Sequence, residues 1–203
     1  MLRILNPNET YTFSRYFELK IEAEDLAKEF GYTLETKRLN LPQYTGDLDR
    51  IQQTQSKIEE ILPYVTLSNE SARREWLIAP LLADVIHYTK AKVKVEYPIR
   101  LSNYLQGSFD YLIEASRTII IVEAKKADLD LGMTQLVAQL ITLDQWQEPQ
   151  SQPYFIGAVT TGKNWEFARL NRHSKHFERG FEDYSIPDEL EQITRILVQE
   201  LIG

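Results

Sequence analysis

A chain of 203 residues with 43% hydrophobic and 26% charged residues has enough apolar material for one well-buried domain, which excludes disorder along its whole length. It has no cysteine, so disulfides, thiolate zinc sites and cysteine nucleophiles are excluded, and a reducing, cytoplasmic setting is expected. Thirty acidic against 23 basic residues give a net charge of -7, opposite to the usual footprint of a nucleic-acid binder. A cleft that collects carboxylates around a divalent metal would offset that objection. The start of the chain carries no sustained apolar stretch, and no apolar run approaches the ~18 residues of a membrane span, so neither export nor membrane insertion is expected.

Residues 13–30 place Phe13, Tyr16, Phe17, Ile21, Leu26 and Phe30 at helical intervals before Gly31, which predicts one amphipathic helix with a glycine cap. Residues 33–44 are largely polar and read as a connection with room for a short strand; a second helix follows over about 47–62, ending at Pro63. Ser68, Asn69 or Ser71 can cap a third helix carrying Ile78, Leu82, Val85 and Ile86, although Pro80 requires either a kink or a later start.

The period then changes to two. Val93, Val95, Tyr97 and Ile99 alternate with Lys92, Lys94 and Glu96 over residues 92–100, a half-buried strand that Pro98 assigns to an edge. A second strand covers 105–115, a turn falls at Ser116-Arg117, and the β-branched run 118–125 reads as a central strand. Residues 130–146 form a helix capped by Asp128 or Asp130; 153–160 and 165–170 form a hairpin turned at 162–164; 171–185 read as loop, and 187–202 as a terminal helix. The order predicts an α/β domain around one mixed sheet flanked by helices: an N-terminal helical extension over 1–68 packed on a core over 69–203.

Chemistry concentrates on the central hairpin. Glu123 and Lys125 are two residues apart on one strand and therefore share a face, and Asp110 is symmetric with Glu123 about the 116–117 turn, so pairing brings the two carboxylates together. Two carboxylates and a backbone carbonyl, that of Ala124, suffice to hold magnesium, which prefers oxygen ligands and keeps several waters. A nearby lysine can orient the attacking water or polarise a phosphate.

Gly107-x-x-Asp110, twelve further residues and then Glu123-Ala124-Lys125 resembles the PD-(D/E)XK nuclease superfamily, whose restriction-endonuclease-like core is an αβββαβ unit. The resemblance covers residues 70–170, from the helix around Glu75 to the strand 153–160. It implies that Asp110 and Glu123 bind Mg2+ or Mn2+, that Lys125 is the catalytic lysine, and that Glu75 is the additional acid some members carry on the first core helix. It also implies that a glutamine of the helix after the lysine positions substrate or water, Gln135 before Gln139. Phe109 stands where many members have proline. The expected activity is hydrolysis of DNA phosphodiesters, alone, as a homodimer or with a partner protein; the alternatives are an inactive binding module on the same fold and a nuclease of RNA.

The remaining motifs read as structural. Arg73-Arg74, Lys90, Lys92, Lys94 and Arg100 are taken as solvated charge, His173 and His176 as loop surface, and Trp146, Trp165 and Phe167 as core. Gly157 to Lys163 has P-loop spacing, but Asn164 replaces the magnesium-holding hydroxyl and a strand follows.

Overall fold

The computed structural model describes residues 4–115, 119–124, 128–146 and 152–203. Among the described residues eight strands form one mixed sheet: β1 (Thr33–Lys37), β2 (Lys92–Arg100), β3 (Gln106–Glu114), β4 (Ile119–Ala124), β5 (Tyr154–Thr160), β6 (Asn164–Asn171), β7 (His176–Gly180) and β8 (Tyr184–Ser185). The order is β1-β7-β6-β5-β4-β3-β2, with β8 paired to β6. β1 runs parallel to β7 and β4 parallel to β5, while the other pairs are antiparallel. The hairpin β3-β4 is thus internal, and β2 with Pro98 is an edge, as its sequence predicts. Among the described residues no helix is long and apolar enough to cross a membrane.

Helices cover both faces. α6 (Leu129–Trp146) packs on one face with α1 (Phe13–Glu18) and α2 (Ala23–Glu29); α3 (Ile51–Ile61), α5 (Ala79–Thr89) and α7 (Leu190–Ile202) cover the other. Every residue of α6 from Gly132 to Leu143 is buried, so its polar side chains need internal partners. Thr134 Oγ1 donates to the Ile21 carbonyl at 2.8 Å and Thr142 Oγ1 to the Ala138 carbonyl at 2.8 Å; Gln135 and Gln139 turn to the sheet. α6 lies close to β5, where a Cβ on Gly157 would stand 2.6 Å from Leu136 Cδ1.

Three expectations need correction. The single helix over 13–30 is two, because Lys20 adopts a left-handed φ of 53° and breaks the hydrogen-bond ladder between them. The segment 171–185 is not loop: β7 lies inside the sheet, and His176, expected on a loop, bonds through Nδ1 to Thr33 Oγ1 at 2.7 Å. The charges that conceal this strand are cross-strand partners, for Glu178 accepts from Arg169 and pairs with Lys37, and Arg179 donates to Glu166. Trp146 is not core, being 45% exposed with its ring 6.5 Å from that of Tyr97, whereas Trp165 and Phe167 are buried as expected.

Pro80 is accommodated by a wide turn. α4 (Glu70–Arg73), capped by the Asn69 side chain on the Ala72 N–H at 2.8 Å, passes into a π-helical turn over Arg74–Ile78 and then into α5. A proline at position 80 cannot donate to the carbonyl of residue 76 and its ring crowds that carbonyl; widening the turn before it relieves the conflict without ending the helix.

Gly107, the glycine of the Gly-x-x-Asp motif, has φ +148°, and a Cβ there would meet the Phe13 ring at 2.7 Å. Phe13 stacks on Phe109 with centroids 5.7 Å apart, so the N-terminal segment is docked against β3 at this point. Gly107→Ala is expected to lower stability by about 1–3 kcal/mol through backbone strain and displacement of Phe13. Urea unfolding checks it, the midpoint falling; an unchanged midpoint would contradict the packing.

Candidate active site

Tyr111 lies opposite Val122 and Glu114 opposite Ile119, so one further step of the β3-β4 register brings Asp110 level with Glu123, as the symmetry about the turn predicts. The ladder stops at Tyr111 and Val122, and beyond it a side chain takes over: Asp110 Oδ2 accepts the Ala124 N–H at 2.8 Å. The half-buried Asp110 is thereby fixed to the Glu-x-Lys strand, with Oδ1 left for a second partner. Lys125 lies outside the described residues.

Glu123 is fully buried beneath α6, where Gln135 Nε2 donates to its Oε1 and Gln139 Nε2 to its Oε2, each at 2.5 Å. The two glutamines are one helical turn apart and present a pair of donors to a pair of acceptors. Both carboxyl oxygens of Glu123 act as acceptors, which directs both amide nitrogens toward it and turns both amide oxygens away. Gln135 Oε1 and Gln139 Oε1 are buried and have no hydrogen-bond partner among the described residues. Gln135, preferred in the sequence reading, and Gln139 therefore both hold Glu123, with Gln139 Nε2 also donating to the Ser108 carbonyl at 3.4 Å.

On the other side of β3 the helix 70–89 supplies a cation. Arg74 Nε donates to the Tyr111 hydroxyl at 3.3 Å, one of its terminal nitrogens donates to Glu96 at 3.1 Å, and its guanidinium lies 5.1 Å from the centre of the Tyr111 ring. Burial pulls the Arg74 pKa down, but Tyr111, Asp110 and Glu96 together outweigh it and hold the group above its ordinary value. Burial likewise pushes the Tyr111 hydroxyl up, with Asp110 adding to the effect and Arg74 opposing it. The Asp110 charge is thus felt by both groups. Glu75 is exposed and lines, with Arg74, Glu96 and Tyr111, a cavity of about 280 Å³.

Arg74 is the residue that sequence reasoning assigned to solvated charge. Its place beside Asp110 depends on how the π turn rolls the helix over β3, and no spacing within either segment carries that information. Arg73, its neighbour, is structural: it donates to the carbonyls of Leu67 at 2.9 Å and Thr161 at 3.2 Å. Among the described residues no three His, Asp or Glu side chains gather as a metal-binding group. The segment 157–163 is the β5-β6 hairpin, with no helix to cradle phosphate.

No protein-family model matches this chain, and no curated protein matches it significantly.

Gln139→Met removes one of the two amide donors to the buried Glu123 carboxylate and is expected to cost about 1–3 kcal/mol. Adding Glu123→Met removes the charge as well, so the double variant should lose less than the sum of the two single ones. Chemical denaturation of the four proteins measures this coupling; strict additivity would mean that the clamp contributes nothing.

Proposed function

We propose that the chain is a metal-dependent nuclease of the PD-(D/E)XK type, with a restriction-endonuclease-like core, acting on DNA phosphodiesters in the cytoplasm. The observation that carries the reading is the hairpin itself: Asp110 anchored to the Ala124 N–H, in register with Glu123, immediately before Lys125. The helix 70–89, the antiparallel β2-β3-β4, α6 and the parallel β5 follow the αβββαβ order the motif implies, which adds support.

The donor chemistry suits a hard cation. Asp110 Oδ1, Glu123 and the Ala124 carbonyl would hold Mg2+ or Mn2+, with Glu75 as an outer acid, and the ion would lower the pKa of a water and stabilise charge on a phosphate. The buried Gln135 and Gln139 carbonyls lack donors among the described residues, and waters around a hydrated cation are donors of the kind they need. Asp110 orients the strand end, Gln135 and Gln139 fix the Glu123 rotamer, and Arg74 offers a positive charge near a negative substrate in an otherwise acidic chain. Lys125 is assigned to the attacking water, and a homodimer or a partner protein to target selection.

The occupation of both Glu123 oxygens by amides favours one second reading, a site kept for folding in a non-catalytic module. Calorimetry with Mg2+ and Mn2+ separates the two, since only the nuclease reading requires binding that Asp110→Ala removes. Incubation of supercoiled, linear, single-stranded and RNA substrates with each metal should show cleavage of DNA that stops with EDTA. Asp110→Ala and Lys125→Ala should each reduce the rate by about 100-fold or more; variants as active as the parent protein refute the assignment.

A further inference from the structure

A second cleft, away from the hairpin, carries an unexplained charge. Between α3 and α5 lies a partly open cavity of about 450 Å³ walled by Ile58, Trp76 and Pro80, with Asp84 set into it. Asp84 is 6% exposed, and its Oδ2 is buried without a hydrogen-bond partner among the described residues. A buried carboxylate oxygen with no donor is destabilising, and on an apolar wall it has no packing role that asparagine or leucine would not fill at lower cost. Trp76 beside it is 38% exposed, an indole face left open to the same cleft.

We propose that this cleft binds a linear alkyl-diammonium ion. One ammonium meets Asp84, the methylene chain lies along Ile58, Pro80 and the Trp76 ring, and the second ammonium meets Glu75, which lines the same cleft. The chemistry selects against alternatives: two carboxylates repel anions, an apolar wall does not reward a polyol, and the indole face attracts a cation. Lys57 also lines the cleft, yet among the described residues neither it nor any other group donates to Asp84 Oδ2, and two carboxylates against one ammonium leave negative charge in excess. The wide turn over Arg74–Ile78 contributes both Glu75 and Trp76 to this wall, and such turns are frequent where a helix serves a site. Glu75 is shared with the nuclease reading, whereas Asp84 and Trp76 have no part in it, so variants at these two residues, assayed without divalent metal, distinguish failure of this site from failure of that reading.

The test is calorimetry and thermal melting of the full chain, without divalent metal and at constant ionic strength, with 1,5-diaminopentane, 1-aminopentane and 1,5-pentanediol. Expected are saturable binding of the diamine, weaker binding of the monoamine and none of the diol. Asp84→Asn should weaken the diamine roughly tenfold or more and, without ligand, melt about 2–4 °C above the parent protein because an unpaired buried charge is gone. Trp76→Ala, a change at an exposed position, should weaken the diamine while leaving the fold intact. Equal response of parent and Asp84→Asn, an equal effect of the diol, or absence of saturable binding overturns the proposal. So does a Lys57→Ala protein that melts lower and gains no affinity for the diamine, since Lys57 would then be the counter-ion of Asp84.

Discussion

The burial of Glu123 constrains the rest of the fold. A carboxylate with no exposed surface in the middle of a sheet loses its hydration, and that loss amounts to several kcal/mol unless donors replace the water. The replacement comes from Gln135 and Gln139, whose spacing works only if α6 presents this one turn to β4 at hydrogen-bonding distance. α6 must therefore lie low on the sheet, and a side chain beyond hydrogen at position 157 would lift it, since Leu136 already occupies that volume. Of the polar residues that the helix buries as a consequence, Thr134 is satisfied by the Ile21 carbonyl between α1 and α2 and Thr142 by the Ala138 carbonyl, while the Gln135 and Gln139 carbonyls have no partner among the described residues. At the far end of α6, Asp144 accepts from Arg172 at 2.7 Å and from the Tyr32 hydroxyl at 2.7 Å. One buried charge thus sets the height of a helix, and two polar anchors tie that helix to the N-terminal segment.

Asp110 works under a different constraint. Strands β3 and β4 part after Tyr111 and Val122, and a parting pair leaves backbone donors without acceptors. The Asp110 carboxylate fills the gap at Ala124, so the structural need and the candidate chemistry fall on the same atom group. Across from it on β2, Glu96 has a left-handed φ of 51° and takes Arg74 as its partner, so the irregularity of the edge strand is matched to the cation beside Asp110. Phe109 packs in the α6 layer and Tyr111 in the opposite one, so β3 does not keep the two-residue alternation across Asp110.

The hairpin was legible because strand parity and turn symmetry are properties of short sequence; Asp110 and Glu123 needed nothing beyond the two-residue period and a central turn. The elements that escaped share a different feature. β7 is held in the sheet by charges whose partners stand on other strands, Arg169 and Lys37 for Glu178, so its own sequence reads as polar loop. The break at Lys20 carries no glycine or proline to mark it, so the helical pattern of the sequence continues across it. The pairing of Arg74 with Tyr111 and Glu96 spans separations of 37 and 22 residues, which periodicity within a window cannot register.

The π turn over Arg74–Ile78 joins these observations. A helix that had to admit Pro80 could have started later, as the sequence allows, leaving residues 70–78 as loop and Arg74 without a fixed rotamer. Widening the turn instead keeps nineteen consecutive positions after Glu70 in helical backbone and changes the angular spacing of the side chains within it. Arg74 is delivered to Tyr111 on one flank and Trp76 to the α3 cleft on the other, with Glu75 lining both cavities. The same wide turn that tolerates the proline therefore puts a single carboxylate between two clefts, so whatever charge enters one of them changes the field in the other.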